Sequence, residues 1–501
     1  MSEVLAGMAL VINPEVLTVA LVAAVFGVFV GAVPGLTATL AVALLVPLTF
    51  HMEPIPAITA VVTTSAMAIF AGDIPGTYLN IPGTPSSAAY VADASALGRQ
   101  GRARQTLGVI LVCSMIGGLA GSVMLMLVAP TLAEFALNFS SFEYFWLAVL
   151  GLSCAAFIAS GTVLKSLLSL MLGLFLATVG LDVTTGAPRF TFDIPDLFGG
   201  INFIPVMIGF FAISEVMYLY RNLEGKSTLA IVKDAGAVFE GLGRTLRAYW
   251  RNVTRGCSVG VISGVLPGAG ADLAAWIAYA LGKKRSRTPE RFGKGHIEGI
   301  VDAGSANNTA VIGAYVPALV FGIPGDSITA IVIGVLYVKG INPGPTIFSG
   351  DGAMVYALFT AFFVANLILL PVGYMAIRLA HMLARIPARV LMPVILCFSI
   401  VGAFAINNSV TDLWIMLLAG VAGYLMISAQ IPLAPAILGL VLGNMLENNF
   451  MASMLKTSGN FLEFVSRPLS AVLASLVLLI VLWPLLRRLA RRHAGQARPP
   501  G

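Results

Sequence analysis

The chain is 501 residues long, 58% hydrophobic and only 10% charged, with a mean hydropathy of +0.93; soluble domains carry about 25% charged residues, so a soluble globular protein is excluded. A formal charge of +6 invites a nucleic-acid partner, but the Lys and Arg residues sit in short loops between apolar runs, where the positive bias of cytoplasmic loops accounts for them. The composition specifies an all-α polytopic membrane protein with no nucleic-acid partner.

In chain order, the first 98 residues contain no Lys or Arg, so no basic region precedes an apolar run and no cleaved signal peptide is expected. Segment 16–50 is apolar but carries Pro34-Gly35 in its middle. Proline removes a donor and glycine costs backbone entropy, so this step breaks a helix. In lipid such a break is tolerated only where the freed groups are buried in protein or line a wet cavity. A second break, Ile81-Pro82-Gly83, follows. Runs at 106–129, 144–162, 166–181 and 201–220 are each near the ~20 residues that cross a bilayer.

Residues 222–254 form a polar stretch, read as a cytoplasmic connector. Beyond it, segment 256–282 carries Pro267-Gly268, and Ile323-Pro324-Gly325 comes next. Runs at 390–406, 411–430, 433–447 and 468–486 lead to a basic tail, for about 11 to 12 spans in all. Basic clusters at 99–104, 165, 221–255, 283–294, 378–389 and 487–498 are all placed in the cytoplasm. On that count His51 is a periplasmic loop residue, while His296 lies in the cytoplasmic basic loop. Glu53, Glu447 and Glu463 fall in periplasmic turns. Cys113, Cys154, Cys257 and Cys397 are scattered without metal or disulfide spacing and read as small core residues.

Gly27-Val-Phe-Val-Gly-Ala-Val-Pro-Gly-Leu-Thr-Ala-Thr-Leu-Ala41 matches Gly260-Val-Ile-Ser-Gly-Val-Leu-Pro-Gly-Ala-Gly-Ala-Asp-Leu-Ala274 at 8 of 15 positions, 233 residues on. Ile81-Pro-Gly-Thr-Pro-Ser-Ser-Ala88 matches Ile323-Pro-Gly-Asp-Ser-Ile-Thr-Ala330, 242 residues on. The chain is therefore read as a duplication: repeat 1 over 1–221, the connector over 222–254, repeat 2 over 255–450, and a final span with a basic tail over 451–501. The charge count gives the repeats opposite orientation, with the 16–50 hairpin entering from the periplasmic side and the 256–282 hairpin from the cytoplasm. Inverted repeats with matching broken segments point to the central site of a secondary transporter.

Helix ends freed at Pro34-Gly35, Pro82-Gly83, Pro267-Gly268 with Gly270, and Pro324-Gly325 offer backbone N–H groups and positive dipole ends to an anion. Thr37, Thr39, Asn80, Thr84, Ser86, Ser87, Ser327 and Thr329 add neutral donors. Against this stands the reading that Gly and Pro merely permit close packing and that the hydroxyls bond their own backbone. Asn307, Asn308 and Asp272 are candidate ligands for a coupling ion, Na+ or H+, and Na+ would take oxygen from all three. Asp272 lies four residues past Gly268 and matches Thr39 of the first half; a carboxylate within a span is expensive and therefore a functional candidate. Asp73, Asp93 and Asp326 lie at segment edges, where solvated or capping roles weigh evenly against a functional one. No other cofactor is expected.

Pro34-Gly-Leu-Thr37, Leu79-Asn-Ile-Pro-Gly-Thr-Pro-Ser-Ser-Ala-Ala89, Gly264-Val-Leu-Pro-Gly-Ala-Gly-Ala271, Phe292-Gly-Lys-Gly295, Asn307-Asn308, Leu319-Val-Phe-Gly-Ile-Pro-Gly325 and Gly340-Ile-Asn-Pro-Gly-Pro345 resemble the large permease subunit of tripartite tricarboxylate transporters, colinearly over nearly the whole chain. The resemblance implies a bacterial inner-membrane importer of a carboxylate, driven by an ion gradient, with a small integral-membrane subunit and a periplasmic solute-binding protein as partners. The chain departs from the family pattern at Gly304, where an acidic residue is usual, at Ala94, and at Asp272 and Asp326, where neutral residues are usual. A channel-like permease is the alternative, although no repeated filter sequence is present. An intramembrane aspartyl protease is weaker, because Gly268-Ala-Gly-Ala-Asp272 misses the Gly-x-Gly-Asp spacing by one residue, about 100° on a helix. No enzymatic activity is expected.

Overall fold

The computed structural model describes the backbone of residues 2–33, 36–157, 162–221, 236–267, 270–350, 352–383 and 388–496, and the side chains of all these except 2–3, 219, 271–272, 349, 381–383, 388–391 and 483–496. Before the connector the helices are α1 Ser2–Val11, α2 Pro14–Gly31, α3 Ala38–Thr49, α4 Pro54–Ala71, α5 Asp73–Leu79, α6 Val91–Leu97, α7 Ala103–Ala136, α8 Ser141–Phe157, α9 Val163–Ala177, α10 Phe203–Ile208 and α11 Ser214–Arg221. After it come α12 Leu242–Ala248, α13 Trp250–Gly264, α14 Gly270–Arg285, α15 Ile297–Gly313, α16 Tyr315–Phe321, α17 Ser327–Val338, α18 Ile347–Gly350, α19 Gly352–Leu383, α20 Ala388–Asn407, α21 Val410–Ser428, α22 Ala434–Lys456 and α23 Pro468–Gln496. Among the described residues the only sheet is an antiparallel pair, β1 Gly180–Leu181 with β2 Pro188–Arg189.

The protein is an all-α polytopic membrane protein. Five helical stretches, Pro14–Gly31, Pro54–Leu79, Val91–Ala136, Gly352–Ala380 and Val410–Ser428, are long and apolar enough to cross a bilayer, and shorter apolar helices accompany them. Pro54–Leu79 and Gly352–Ala380 are absent from the runs counted between basic clusters. The first carries no flanking cation and is almost wholly buried, so charge patterning has nothing to mark it with.

The chain folds as two compact units, residues 1–137 with 201–429, and residues 138–200 with 430–501. Each unit draws on both sides of the connector, so compactness does not follow sequence order.

In the larger unit both Pro-Gly steps fall between helices. α2 ends at Gly31 and α3 begins after Thr37, whose hydroxyl accepts from Leu40 N (3.2 Å); α13 ends at Gly264 and α14 begins at Gly270. α2 packs on α4, and α13 packs on α15, through matching positions. A Cβ on Gly31 would fall 2.5 Å from Ala68 O, and one on Gly264 2.5 Å from Ala310 O. Ala310 is 242 residues after Ala68, so the same small-residue contact recurs in each half. Close backbone approach of this kind is how helices associate where lipid removes the hydrophobic drive.

In the smaller unit α22 packs against α8 and α9, and α23 against α8. Ser169 Oγ donates to Pro432 O (2.5 Å) and accepts from Ala436 N (3.0 Å), closing the start of α22. Glu143, with a fully buried carboxylate, is held by Arg467 (2.8 Å). Glu447 is not in a turn: α22 continues through it, and Arg189 clamps it with both guanidinium nitrogens (2.6 and 3.1 Å). Cys113 and Cys154 are buried, Cys257 is half-buried and Cys397 is exposed, so Cys397 is not a core residue.

Candidate functional site

The later breaks grow out of bends in α4 and α15. At Gly72 the chain turns into α5 and at Ala314 into α16. Each short helix is ended by a left-handed residue, Asn80 (φ 59) and Gly322 (φ 69), the two residue types that tolerate that conformation. The chain then enters Ile81-Pro82-Gly83 and Ile323-Pro324-Gly325, and both fold back on their own bends. Gly83 N donates to Gly72 O (3.2 Å), and a Cβ on Gly325 would fall 2.9 Å from Ala314 Cα.

The second hairpin touches both of these breaks. A Cβ on Gly270 would lie 2.8 Å from Asp326 Cβ, and Trp276 Nε1 of α14 donates to Pro85 O (3.2 Å). In the other direction α17 packs on α3, and Lys339 Nζ donates to Phe50 O (3.0 Å) and Met52 O (2.5 Å), satisfying carbonyls that the end of α3 leaves open. Second-half elements thus reach the first-half break at Pro85 and the end of α3. Pro34, Gly35, Gly268 and the side chain of Asp272 lie outside the described residues.

The candidate donors divide by exposure. Asn80, Ile81, Pro82 and Pro85 are exposed and Thr39 is half-buried, whereas Gly83, Thr84, Ser86 and Ser87 are buried. The three buried hydroxyls serve each other: Thr84 Oγ1 lies 2.9 Å from Ser86 Oγ, Ser87 N donates to Thr84 Oγ1 (3.1 Å), and Ser87 Oγ donates to Thr84 O (2.9 Å). Thr329 is likewise engaged, forming a capping box with Asp326 at the start of α17 (2.8 and 2.9 Å). Pro267, Pro324 and Gly325 are buried and Ser327 is half-buried. Exposed backbone, more than free hydroxyls, is what the first-half break presents.

Three carboxylates have distinct structural partners. Asp93 accepts from Tyr279 Oη (2.6 Å), Gly295 N (2.7 Å) and His296 N (2.8 Å), so it pins α14 and the start of α15. His296 is the cap of α15, its Nδ1 accepting from Glu298 N (3.2 Å), rather than a free loop residue. Asp302 is fully buried and receives Arg255 Nε (2.8 Å) and Nη2 (2.5 Å) together with Asn252 Nδ2 (2.8 Å). Asp73 is not at a solvated edge: it is 3% exposed and accepts a 2.7 Å bond from Tyr90 Oη.

The two amides of α15 part company. Asn308 Nδ2 donates to Ser114 O (2.9 Å) and Asn366 Oδ1 (3.0 Å), tying α15 to α7 and α19. Asn307 lies beside the Tyr90 hydroxyl, and neither of its amide atoms meets hydrogen-bond geometry with a partner. The grouping of Asp73, Tyr90 and Asn307 is the part that spacing did not reveal, because the three come from separate elements. One signal was present: 242 residues after Asp73 stands another polar residue, Tyr315.

The sequence profile described as the tripartite tricarboxylate transporter TctA family matches residues 17–438. An uncharacterized 52.8 kDa protein in the TAR-I ttuC' 3' region of Agrobacterium vitis is 34% identical over 474 residues, spanning 93% of this chain and 92% of the relative. An uncharacterized protein in the TAR-II ttuC' 3' region of the same organism is 35% identical over 227 residues, 45% of this chain and 94% of that one. No solved structure matches the chain. Matched along most of its length, the chain is a multi-pass membrane protein that belongs to the tripartite tricarboxylate transporter TctA family.

Proposed function

We propose that this chain is the carrier subunit of a secondary importer in a bacterial inner membrane, moving a carboxylate of the dicarboxylate or tricarboxylate class inward by symport with Na+ or H+. Family membership makes it a component of a transporter; substrate, coupling and partners are our reading. The observation that carries it is the interlock of broken segments, with Gly270 against Asp326 and Trp276 Nε1 on Pro85 O at 3.2 Å. Backbone breaks clustered among packed helices supply N–H groups for an anion's oxygens without a fixed cation, so the anion is released as readily as it is bound. In this reading repeats 1–221 and 255–450 are inverted about the connector 222–254. The coupling ion is taken near Asn307, Asn308 and Asp272. A small membrane subunit and a periplasmic binding protein complete the system.

Reconstitution tests the reading. Vesicles containing this chain and its small subunit should accumulate carboxylate under an ion gradient only when the loaded periplasmic binding protein is added outside. Full-rate uptake by the chain alone would make it an autonomous carrier. Downhill flux with no ion dependence would favour the channel reading.

A further inference from the structure

Asp73, at the first turn of α5, lies in one of the most enclosed parts of the larger unit. Its neighbours Met67, Phe70, Ile74 and Leu107 are fully buried or nearly so and belong to one apolar cluster. Oδ1 accepts from Tyr90 Oη at 2.7 Å, and Oδ2 has no partner. Beside the same hydroxyl stands Asn307, 1% exposed, with both amide atoms unpartnered. Buried polar groups are seldom left in this state, and here the open valences belong to a carboxyl and an amide turned toward the same hydroxyl.

The duplication makes the arrangement two-sided. Tyr315 follows Asp73 by 242 residues, and Asn307 follows Ser65 by the same interval. The Tyr315 hydroxyl stands at Ser65, the position equivalent to Asn307, which stands at the Tyr90 hydroxyl. Next to this point α15 has room: a Cβ on Gly304 would meet only Cys113 Cβ, at 3.8 Å. Gly304 lies one turn before Asn307 and Asn308, on the same helix face.

We propose that Asp73 is a proton-binding site of the carrier, with Tyr90 and Asn307 as its positioning partners. The proposal rests on the importer reading for its role in coupling, and it names H+ as the ion. The proton binds Oδ2 and leaves from it, while the Tyr90 hydroxyl stays on Oδ1. The Asn307 amide can donate its NH2 to the Tyr90 oxygen while that hydroxyl stays on Oδ1, and so holds the donor in place. A sodium ion needs several more oxygens than this group offers.

The titratable and charged residues facing Asp73 are few. α4 carries none. α6 brings Asp93, already occupied by Tyr279, Gly295 and His296. The turn at 98–102 brings Arg99, which donates to Ser95 Oγ (2.9 Å), and Arg102, which donates to Gln105 Oε1 (3.1 Å). α7 brings Arg104 and Cys113, α15 brings Asp302, already paired with Arg255, and α5 itself adds Tyr78.

Infrared difference spectra of the purified chain in lipid, recorded across pH, test the site without requiring transport. Subtracting the Asp73→Asn spectra from those of the wild type should leave the titrating C=O band of one protonated buried carboxyl, which sets it apart from other buried acids such as Asp302 and Glu143. Tyr90→Phe, which keeps the ring in the core, should move the band's titration midpoint upward by about one pH unit, since the lost donor favoured the ionised form. In vesicles carrying the binding protein, a pH gradient should drive uptake by the wild type and not by Asp73→Asn. No titrating band in the wild type minus Asp73→Asn difference, an unmoved midpoint in Tyr90→Phe, or uptake driven by sodium alone with no titrating band would overturn the proposal. A titrating band in a chain that moves no carboxylate would uphold the proton site and overturn the importer reading.

Discussion

At the scale of single residues, the carboxylates are separated by what they touch. Asp302 has a fully buried side chain and is matched by a guanidinium on two atoms and by an amide. Removing one partner of a buried ion pair costs about 3–5 kcal/mol because it strands the other charge. Arg255→Ala is therefore expected to lower the thermal midpoint sharply, and adding Asp302→Asn should recover most of the loss. A single mutant that melts like the wild type would mean that water reaches Asp302. In the sequence Arg255 reads as one more basic loop residue and Asp302 as one more acid, since nothing in composition pairs residues 47 positions apart. Asp73 was harder still, because its burial depends on three elements whose packing no local pattern encodes.

Among elements, the helix breaks were legible and their environment was not. A Pro-Gly step in an apolar run forces an interruption wherever it occurs, and the structure ends α2 at Gly31 and α13 at Gly264, just before each step. Pro54–Leu79 escaped the charge count for the physical reason that a span enclosed by other helices needs no basic anchor. The hydroxyls after Gly83 look like ligand donors by type, yet Thr84, Ser86 and Ser87 bond one another, a short-range outcome open to any Ser/Thr-rich turn. The glycines of α2 and α13 serve contact. Gly264→Leu would drive a Cβ to within 2.5 Å of Ala310 O and 2.9 Å of its Cα, both backbone atoms unable to yield alone. Overpacking of this kind costs about 1–3 kcal/mol or more. Yield and melting temperature should fall for Gly264→Leu, whereas Gly243→Ala, in α12 with nothing within 4 Å of the added methyl, should be neutral or slightly stabilising. Equal behaviour of the two variants would refute close packing of α13 on α15.

For the whole molecule, charge and labelling bear on how the two halves are set across the bilayer. Gly31 meets Ala68 and Gly264 meets Ala310 at equivalent positions, but contacts inside each half are the same whether the halves run parallel or inverted. Only charge distinguishes the two. The first 98 residues carry no Lys or Arg, while the segment after α14 opens with Lys283-Lys-Arg-Ser-Arg287, and basic loops are retained on the cytoplasmic side. α3 and α14 are the returning helices of the two hairpins, and they end near His51 and Lys283, both exposed. If the halves are inverted, cysteines placed singly at these positions in a background lacking Cys113, Cys154, Cys257 and Cys397 should label from opposite sides: His51→Cys in intact cells with an impermeant maleimide, Lys283→Cys only after the membrane is opened. Labelling of both from one side would make the halves parallel. The breaks would then lie on one surface of the bilayer instead of meeting across it, and the alternating-access reading of the site would fall with the topology.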